Sequence, residues 1–310
     1  MNKKILLAVD NTPPSKLTLA YAVQMSAMIP DLHFVLLHVQ PMVSLFLKEE
    51  ARTSALARKK MEKISNRNVR LAQSLLDEYR SDMIGRGIAS DRIEGVTQER
   101  RLGFAKDIIE FAQQGRFDAV VVGRRGLSGI AKLYSVSVTA NILEQSQVIP
   151  VWLVDGEAGA GEILVAVDGS EASLRVVDHV SFMMSADSKT RMTLLHVAGN
   201  TRNTCEIEME DPPDTELEDI IVRGDKACID QFYARALEKF KQAGITGERV
   251  RFETIEGRRR IGKAVMDFAE KGNYHTLVVG RRGIDRSFFM GSVSRYMINN
   301  LSDGALWVVP

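Results

Sequence analysis

VVGRRG occupies residues 121–126, and the same six residues return at 278–283. The second copy starts 157 residues after the first, in a chain of 310. If this recurrence marks a duplicated domain, other segments must match in the same order and at nearly the same spacing. They do. KILLAVDNTPPS (4–15) aligns with EILVAVDGSEAS (162–173), and FVLLHVQ (34–40) aligns with MTLLHVA (192–198). IIEFAQQGRFDAVVVGRRG (108–126) aligns with VMDFAEKGNYHTLVVGRRG (265–283), and VIPVWLV (148–154) is similar to GALWVVP (304–310). Ordered matches of this kind identify a tandem duplication. The expected division is one domain over 1–154, a Gly/Ala linker over 155–161 and a second domain over 162–310. A chain of this length also exceeds what one hydrophobic core usually serves.

Each half alternates strand and helix patterns. ILLAV (5–9) and ILVAV (163–167) are short continuous apolar runs, the signature of parallel strands buried on both faces. Helical stretches follow over 15–28 and 170–184, and then second strands ending in LLHV. A longer segment with a helix comes next. In the second half Ile229, Phe232, Tyr233, Ala236, Leu237 and Phe240 share one helical face, and Gly244 marks its stop. Third strands are expected over 93–97 and 250–255, then a helix, the VVVG or LVVG strand, another helix and a last strand. Such an order makes an α/β fold with a parallel sheet covered by helices through right-handed crossovers. In such sheets ligands bind beyond the carboxyl ends of the strands, where the strand order reverses. If the first and fourth strands are neighbours, the loop carrying Asp10 or Asp168 meets the GRRG loop there.

The apolar fraction of 45% and the charged fraction of 26% are those of an ordinary globular protein. A net charge of +1 supplies no long-range field, so neither nucleic acid nor a membrane is expected as a partner. Cys205 and Cys228 make no metal-type spacing, which fits a reducing compartment. Asp10 closes the N-terminal apolar run too early for a signal peptide, and no run approaches the roughly 20 apolar residues of a membrane span. These features lead to an expected cytoplasmic location.

With these segments in view, the chain resembles a tandem universal stress protein, one such domain in each half. The resemblance implies two Rossmann-like domains, each a five-stranded doubly wound parallel sheet of order 3-2-1-4-5. It also implies binding of ATP or AMP, with Mg as a companion of ATP. In the nucleotide-binding branch the loop after the fourth strand reads G-x2-G-x9-G-[ST]. Glycines let backbone N–H groups approach phosphate, and a helix N-terminus adds partial positive charge. In the first half Gly123 and Gly126 are followed by nine residues and then by Val136, Ser137, Val138 and Thr139. Val136 stands where the third glycine belongs, and Asp10 lacks the Ser two residues on, so this site, with Val39 at its base, is read as degenerate. In the second half Asp168, Ser170, Gly280, Arg281, Gly283, Gly291, Ser292, Val293 and Ser294 fit the pattern, with Val197 toward the base. Its loop is two residues short, with seven between Gly283 and Gly291. The expected nucleotide site is therefore that of the second domain.

Other readings stand beside this one. Asp10 and Asp168 suit helix N-caps as well as ligand contacts. His38 and His196, on apolar strands, read as satisfied core residues, and no residue is assigned a catalytic role. GRRRIGKA (257–264) nearly matches the P-loop, but Ala264 replaces the hydroxyl that would hold magnesium, so the arginines read as a basic surface patch. The acidic stretch 205–219 reads as a solvated loop. The resemblance further implies an internal pseudo-dimer through the last strands, Val151–Val154 and Leu306–Val309, with a homodimer as a further option. The competing function is a nucleotide-independent interaction module, and slow ATP hydrolysis ranks last.

Overall fold

The computed structural model describes residues 2–124, 138–156, 159, 161–199, 215–258, 260–282 and 290–310. The chain falls into two compact units, Met1–Ala27 with Asp31–Val154, and Met28–Pro30 with Asp155–Pro310. The first runs β1 (Lys3–Ala8), α1 (Pro13–Met28), β2 (Leu32–Gln40), α2 (Leu45–Thr53), α3 (Ala55–Gly85), β3 (Ile93–Glu99), α4 (Phe104–Gln114), β4 (Ala119–Gly123), α5 (Val138–Gln145) and β5 (Val151–Asp155). The second runs β6 (Ile163–Val167), α6 (Glu171–Met184), β7 (Met192–Gly199), α7 (Thr215–Gln242), β8 (Val250–Arg258), α8 (Ile261–Lys271), β9 (Thr276–Gly280), α9 (Ser292–Asn300) and β10 (Gly304–Val309).

The first unit's strands lie in the order β3-β2-β1-β4-β5 and the second's in the order β8-β7-β6-β9-β10, so each has the 3-2-1-4-5 order. All of these pairings are parallel, and the register repeats residue for residue. Leu7 sits opposite Leu36 and Val121, as Val165 sits opposite Leu194 and Val278. Val121 in turn faces Trp152, as Val278 faces Trp307. With right-handed crossovers, strands 1 to 3 are linked over one face of each sheet and strands 3 to 5 over the other. The central strands are therefore covered on both sides, and Leu6, Leu7, Val120, Val121, Val165 and Val278 are fully buried. The third strand of each unit pairs with the second, and in β8 Arg251, Glu253 and Thr254 are exposed.

The long segment between second and third strands holds two helices in the first unit rather than one. Ser54 divides them, ending α2 by donating its N–H to the Glu50 carbonyl and capping α3 by accepting from the Ala57 N–H at 3.3 Å. In α7, Ile229, Phe232, Ala236 and Phe240 are buried as expected, but Leu237 is 37% exposed and Tyr233 lies at the edge of the apolar face. Gly244, at φ +80°, ends this helix, and the next N–H, of Ile245, returns to the Phe240 carbonyl.

The helices before the fourth strands also end alike. Arg116 (φ 52°) and Asn273 (φ 54°) occupy the left-handed region, and the following N–H of Phe117 or Tyr274 closes back on Ala112 or Ala269. Asn tolerates that region better than Arg. Arg116→Asn, which copies the twin, should stabilise the fold by about 0.5–1 kcal/mol, read as a higher urea midpoint at unchanged m-value.

The last strands carry Trp152 and Trp307, both fully buried, against Tyr21 of α1 and His179 of α6. Burial pushes the His179 pKa down from 6.5 to about 3. The unfolded chain thus takes a proton there near pH 6.5 while the folded one does not, so this stability is complete above pH 6.5 and declines as pH falls toward 3. Between pH 7.5 and 5, His179→Phe should lose less urea stability than wild type; equal losses would show that His179 is protonated in the folded state.

Candidate functional site

Both units place their first and fourth strands side by side, so the loops after them meet at the carboxyl edge of each sheet. In the second unit the Asp168 carboxylate accepts the Ser170 N–H at 3.1 Å and the hydroxyls of Ser170 and Ser173, each at 2.6 Å. Ser173 Oγ also accepts the Asp168 N–H at 3.0 Å. The cap of α6 is Ser170, which accepts from the Ser173 N–H at 3.2 Å, so Asp168 orders the loop rather than capping the helix. In the first unit Asp10 does the same with different residues. Its carboxylate accepts from the hydroxyls of Thr12 and Ser15, and its N–H donates to Ser15 Oγ at 2.9 Å. The missing serine is thus no defect, because Thr12 supplies the hydroxyl two residues on. Tyr79 of α3 donates to the Asp10 carbonyl at 2.9 Å. Burial, and then the nearby Asp10 charge, raises the Tyr79 pKa, which keeps the phenol a donor.

After the fourth strands the two units diverge. Arg124 and Arg281 donate their N–H groups to Val154 and Val309, so both loops leave the sheet alike. In the second unit the Arg281 carbonyl then accepts the Gly291 N–H at 3.0 Å and the Ser294 hydroxyl at 3.0 Å. Two groups expected to hold phosphate are spent on the loop's own backbone. Arg281 is only 4% exposed, not a solvated loop arginine, and Ser294 is 1% exposed. Ser292 opens α9 on the exposed side, with Val293 half-buried beside it. In the first unit Thr139 donates instead to the Gly123 carbonyl at 3.2 Å. Gly126, Ser137, Val136 and Gly283 lie outside the described residues. Gly123 also has a packing reason to be glycine, since a Cβ there would lie 2.5 Å from the Pro14 carbonyl oxygen of α1.

At the edge of the first sheet lies a cavity of about 280 Å³. Asp10, Thr12, Val39, Gly123, Val138 and Thr139 line it, with further apolar walls from Phe104 and Ile142. Sequence reasoning placed Asp10, Val39, Gly123, Val138 and Thr139 here but missed Thr12, Ser15 and Phe104. Ser15 was legible in the repeat itself, because both matched segments end on that serine. Arg100 lies over the Phe104 ring, 4.9 Å from its centroid.

The remaining candidates have structural roles. His38 and His196 each direct Nδ1 at the backbone carbonyl of Val9 or Val167, at 2.9 and 3.3 Å. In the near P-loop segment, Gly262 lies inside α8, where a Cβ would come 2.9 Å from Tyr296 Cβ of α9, and Lys263 pairs with Asp267 at 2.8 Å. Of the acidic stretch 205–219, residues 205–214 lie outside the described residues, and 215–219 belong to α7 rather than to a loop. Among the described residues no cluster of His, Cys, Asp or Glu could hold a metal ion, and no helix is long and apolar enough to cross a membrane. Removing the loop-ordering carboxylate by Asp168→Ala strands three donors and should cost about 2–3 kcal/mol by urea unfolding.

Comparison with known proteins accords with this architecture. The universal stress protein family model matches residues 1–155 and again 160–309. A universal stress protein structure from Archaeoglobus fulgidus DSM 4304 aligns over 100% of this chain and 98% of its own, at 18% identity and a TM-score of 0.63. A functionally unknown protein from Pseudomonas aeruginosa PAO1 aligns over 99% of this chain and 92% of its own, at 14% identity and a TM-score of 0.59. At such identities the likeness is one of fold. No curated protein matches. Two matches that together span nearly the whole sequence decide the question: the chain belongs to the universal stress protein family, with two of its domains in tandem.

Proposed function

We propose that this chain is a stress-response regulatory module of the cytoplasm that binds an adenine nucleotide, ATP or AMP, in its first domain. The observation that carries this reading is the cavity at the β1/β4 edge, bounded by Asp10, Val39, Gly123 and Thr139. Its volume of about 280 Å³ is at the small end of ligand pockets and suits a purine nucleoside with its phosphates at the mouth. Val39 and Val138 offer apolar walls to the base, and Asp10 offers a carboxylate to the ribose. Arg100, over Phe104, adds positive charge near the rim. Magnesium would come with ATP rather than from a protein site.

The intact Gly291-Ser292 pair favours the second domain by sequence, but its Gly291 N–H and Ser294 hydroxyl already satisfy the Arg281 carbonyl. Opening that loop for phosphate would leave the carbonyl of a 4%-exposed residue without those donors. In the first domain the described residues show one such bond, from the Thr139 hydroxyl to the Gly123 carbonyl at 3.2 Å, rather than two. The module is read as a binder, with no catalytic step assigned to it.

Val138→Trp, at a half-buried wall position, should fill the cavity and weaken ATP binding at least about tenfold by calorimetry. The matched change in the second domain, Val293→Trp, should leave affinity within about twofold of wild type. The reverse pattern would move the site to the second domain, and absence of binding by wild type at millimolar ATP would leave the interaction-module reading.

A further inference from the structure

Helix α3 is about 46 Å long, but its core contacts are confined to one part of that length. Its buried residues are Ala72, Leu76, Tyr79 and Met83, and none of residues 55–71 is buried. By helical periodicity the face turned away from those four carries Lys59, Lys60, Lys63, Arg67 and Arg70, all exposed. Leu56, Ile64 and Leu71 lie beside them, each at least 41% exposed. Arg58 turns instead to α2, donating to the carbonyls of Ala51 and Arg52. Glu62 is the only acid between residues 51 and 76, and it falls outside this face.

Among the described residues the ion pair of this helix is Arg86 with Asp82, at its far end, and none of the five cations has a carboxylate partner. Lys59 and Lys63, and then Lys63 and Arg67, stand four residues apart, where like charges destabilise a helix. The stripe therefore works against the helix that carries it, and an anionic partner laid along it would relieve that cost. A phosphodiester backbone would meet the cations but leave Leu56, Ile64 and Leu71 in water. The complementary partner combines acids with apolar side chains.

Such a segment occurs in the chain itself. The corresponding part of the second domain, between β7 and β8, has the opposite charge: residues 205–219 hold eight acids and no lysine or arginine. Glu206, Glu208 and Glu210 alternate there with Ile207 and Met209, and Leu217 follows. The net charge of +1 conceals this separation. We propose that the basic face of α3 docks the acidic segment 205–219 of a second copy of this chain. Each copy then offers one surface of each kind, so the contact is heterologous and continues from copy to copy. None of the five cations lines the nucleotide cavity, and the association does not depend on nucleotide.

Sedimentation velocity on the full chain tests this. Wild type should gain mass with rising protein concentration at low salt, and its association should weaken at least about tenfold in 0.5 M sodium chloride. Lys60→Glu, Lys63→Glu and Arg67→Glu together should leave a monomer with an unreduced Tm. Glu206→Gln, Glu208→Gln and Glu210→Gln together should also leave a monomer. An equimolar mixture of the two variants should associate and stop at a pair, because only one competent surface of each kind remains. Wild type that stays monomeric at low salt overturns the proposal, and so does docking of the segment within its own chain, which gives that result. Association that survives either set of substitutions, or variants that fail to pair when mixed, overturns it too. If monomeric wild type binds phosphatidylglycerol vesicles and the α3 variant does not, the face belongs to a lipid surface instead.

Discussion

A parallel strand can be joined to its neighbour only by carrying the chain back across a face of the sheet. Every crossover therefore begins from the same edge, and in each domain the loops after the first and fourth strands are forced together where the crossovers change direction. The remaining features follow from that constraint. Strands covered on both faces must be apolar in their middle stretches, and Ile5–Leu7, Val120–Val122, Ile163–Val165 and Leu277–Val279 are. Polar chemistry is displaced to the edge, where a lone carboxylate after the first strand needs donors close by. Asp10 and Asp168 find them in hydroxyls of their own loop and of the following helix.

Upon this shared framework the two domains have spent their polar groups differently. The shorter loop of the second domain closes on itself through Arg281, whereas the first keeps a cavity beside Gly123. Before the fourth strand the asymmetry runs the other way: the buried carboxylate of Asp107 accepts backbone N–H groups in the first domain, and Ala264 stands in its place in the second. Each difference concerns a few donors and acceptors, and in each described case the backbone N–H groups find their acceptor within the chain.

Much of this was legible in the sequence. The duplication and the alternation of strands and helices followed from repeated segments and apolar runs, whereas the strand order, and with it the meeting of the loops after the first and fourth strands, came from the family resemblance. What escaped was the partnering of single atoms. Thr12 reads as a departure from a motif, yet its hydroxyl does the work of Ser170. Gly291 and Ser294 read as phosphate ligands, and in the fold both donate to the Arg281 carbonyl. Leu237 belongs by periodicity to a buried face that ends one residue short of it, because the width of the covered stripe depends on the neighbouring helix rather than on α7. Local pattern specifies which elements form; the pairing of donors depends on where distant segments arrive.

The identity with which the repeat was first recognised has a consequence for assembly. β4 and β9 share the residues VVG, and they meet β1 and β6 in the same register, so each is a chemically competent partner for the other domain's first strand. Tandem repeats with interchangeable strands are prone to misassembly between domains. Vectorial synthesis removes the competition: at typical elongation rates the second VVG follows the first by about 8–30 s. In that interval β1 can close on β4 while no rival strand exists. Refolding from denaturant offers no such delay, and a chain released all at once must sort two equivalent partners by the residues around them, Tyr21 with Trp152 in one case and His179 with Trp307 in the other.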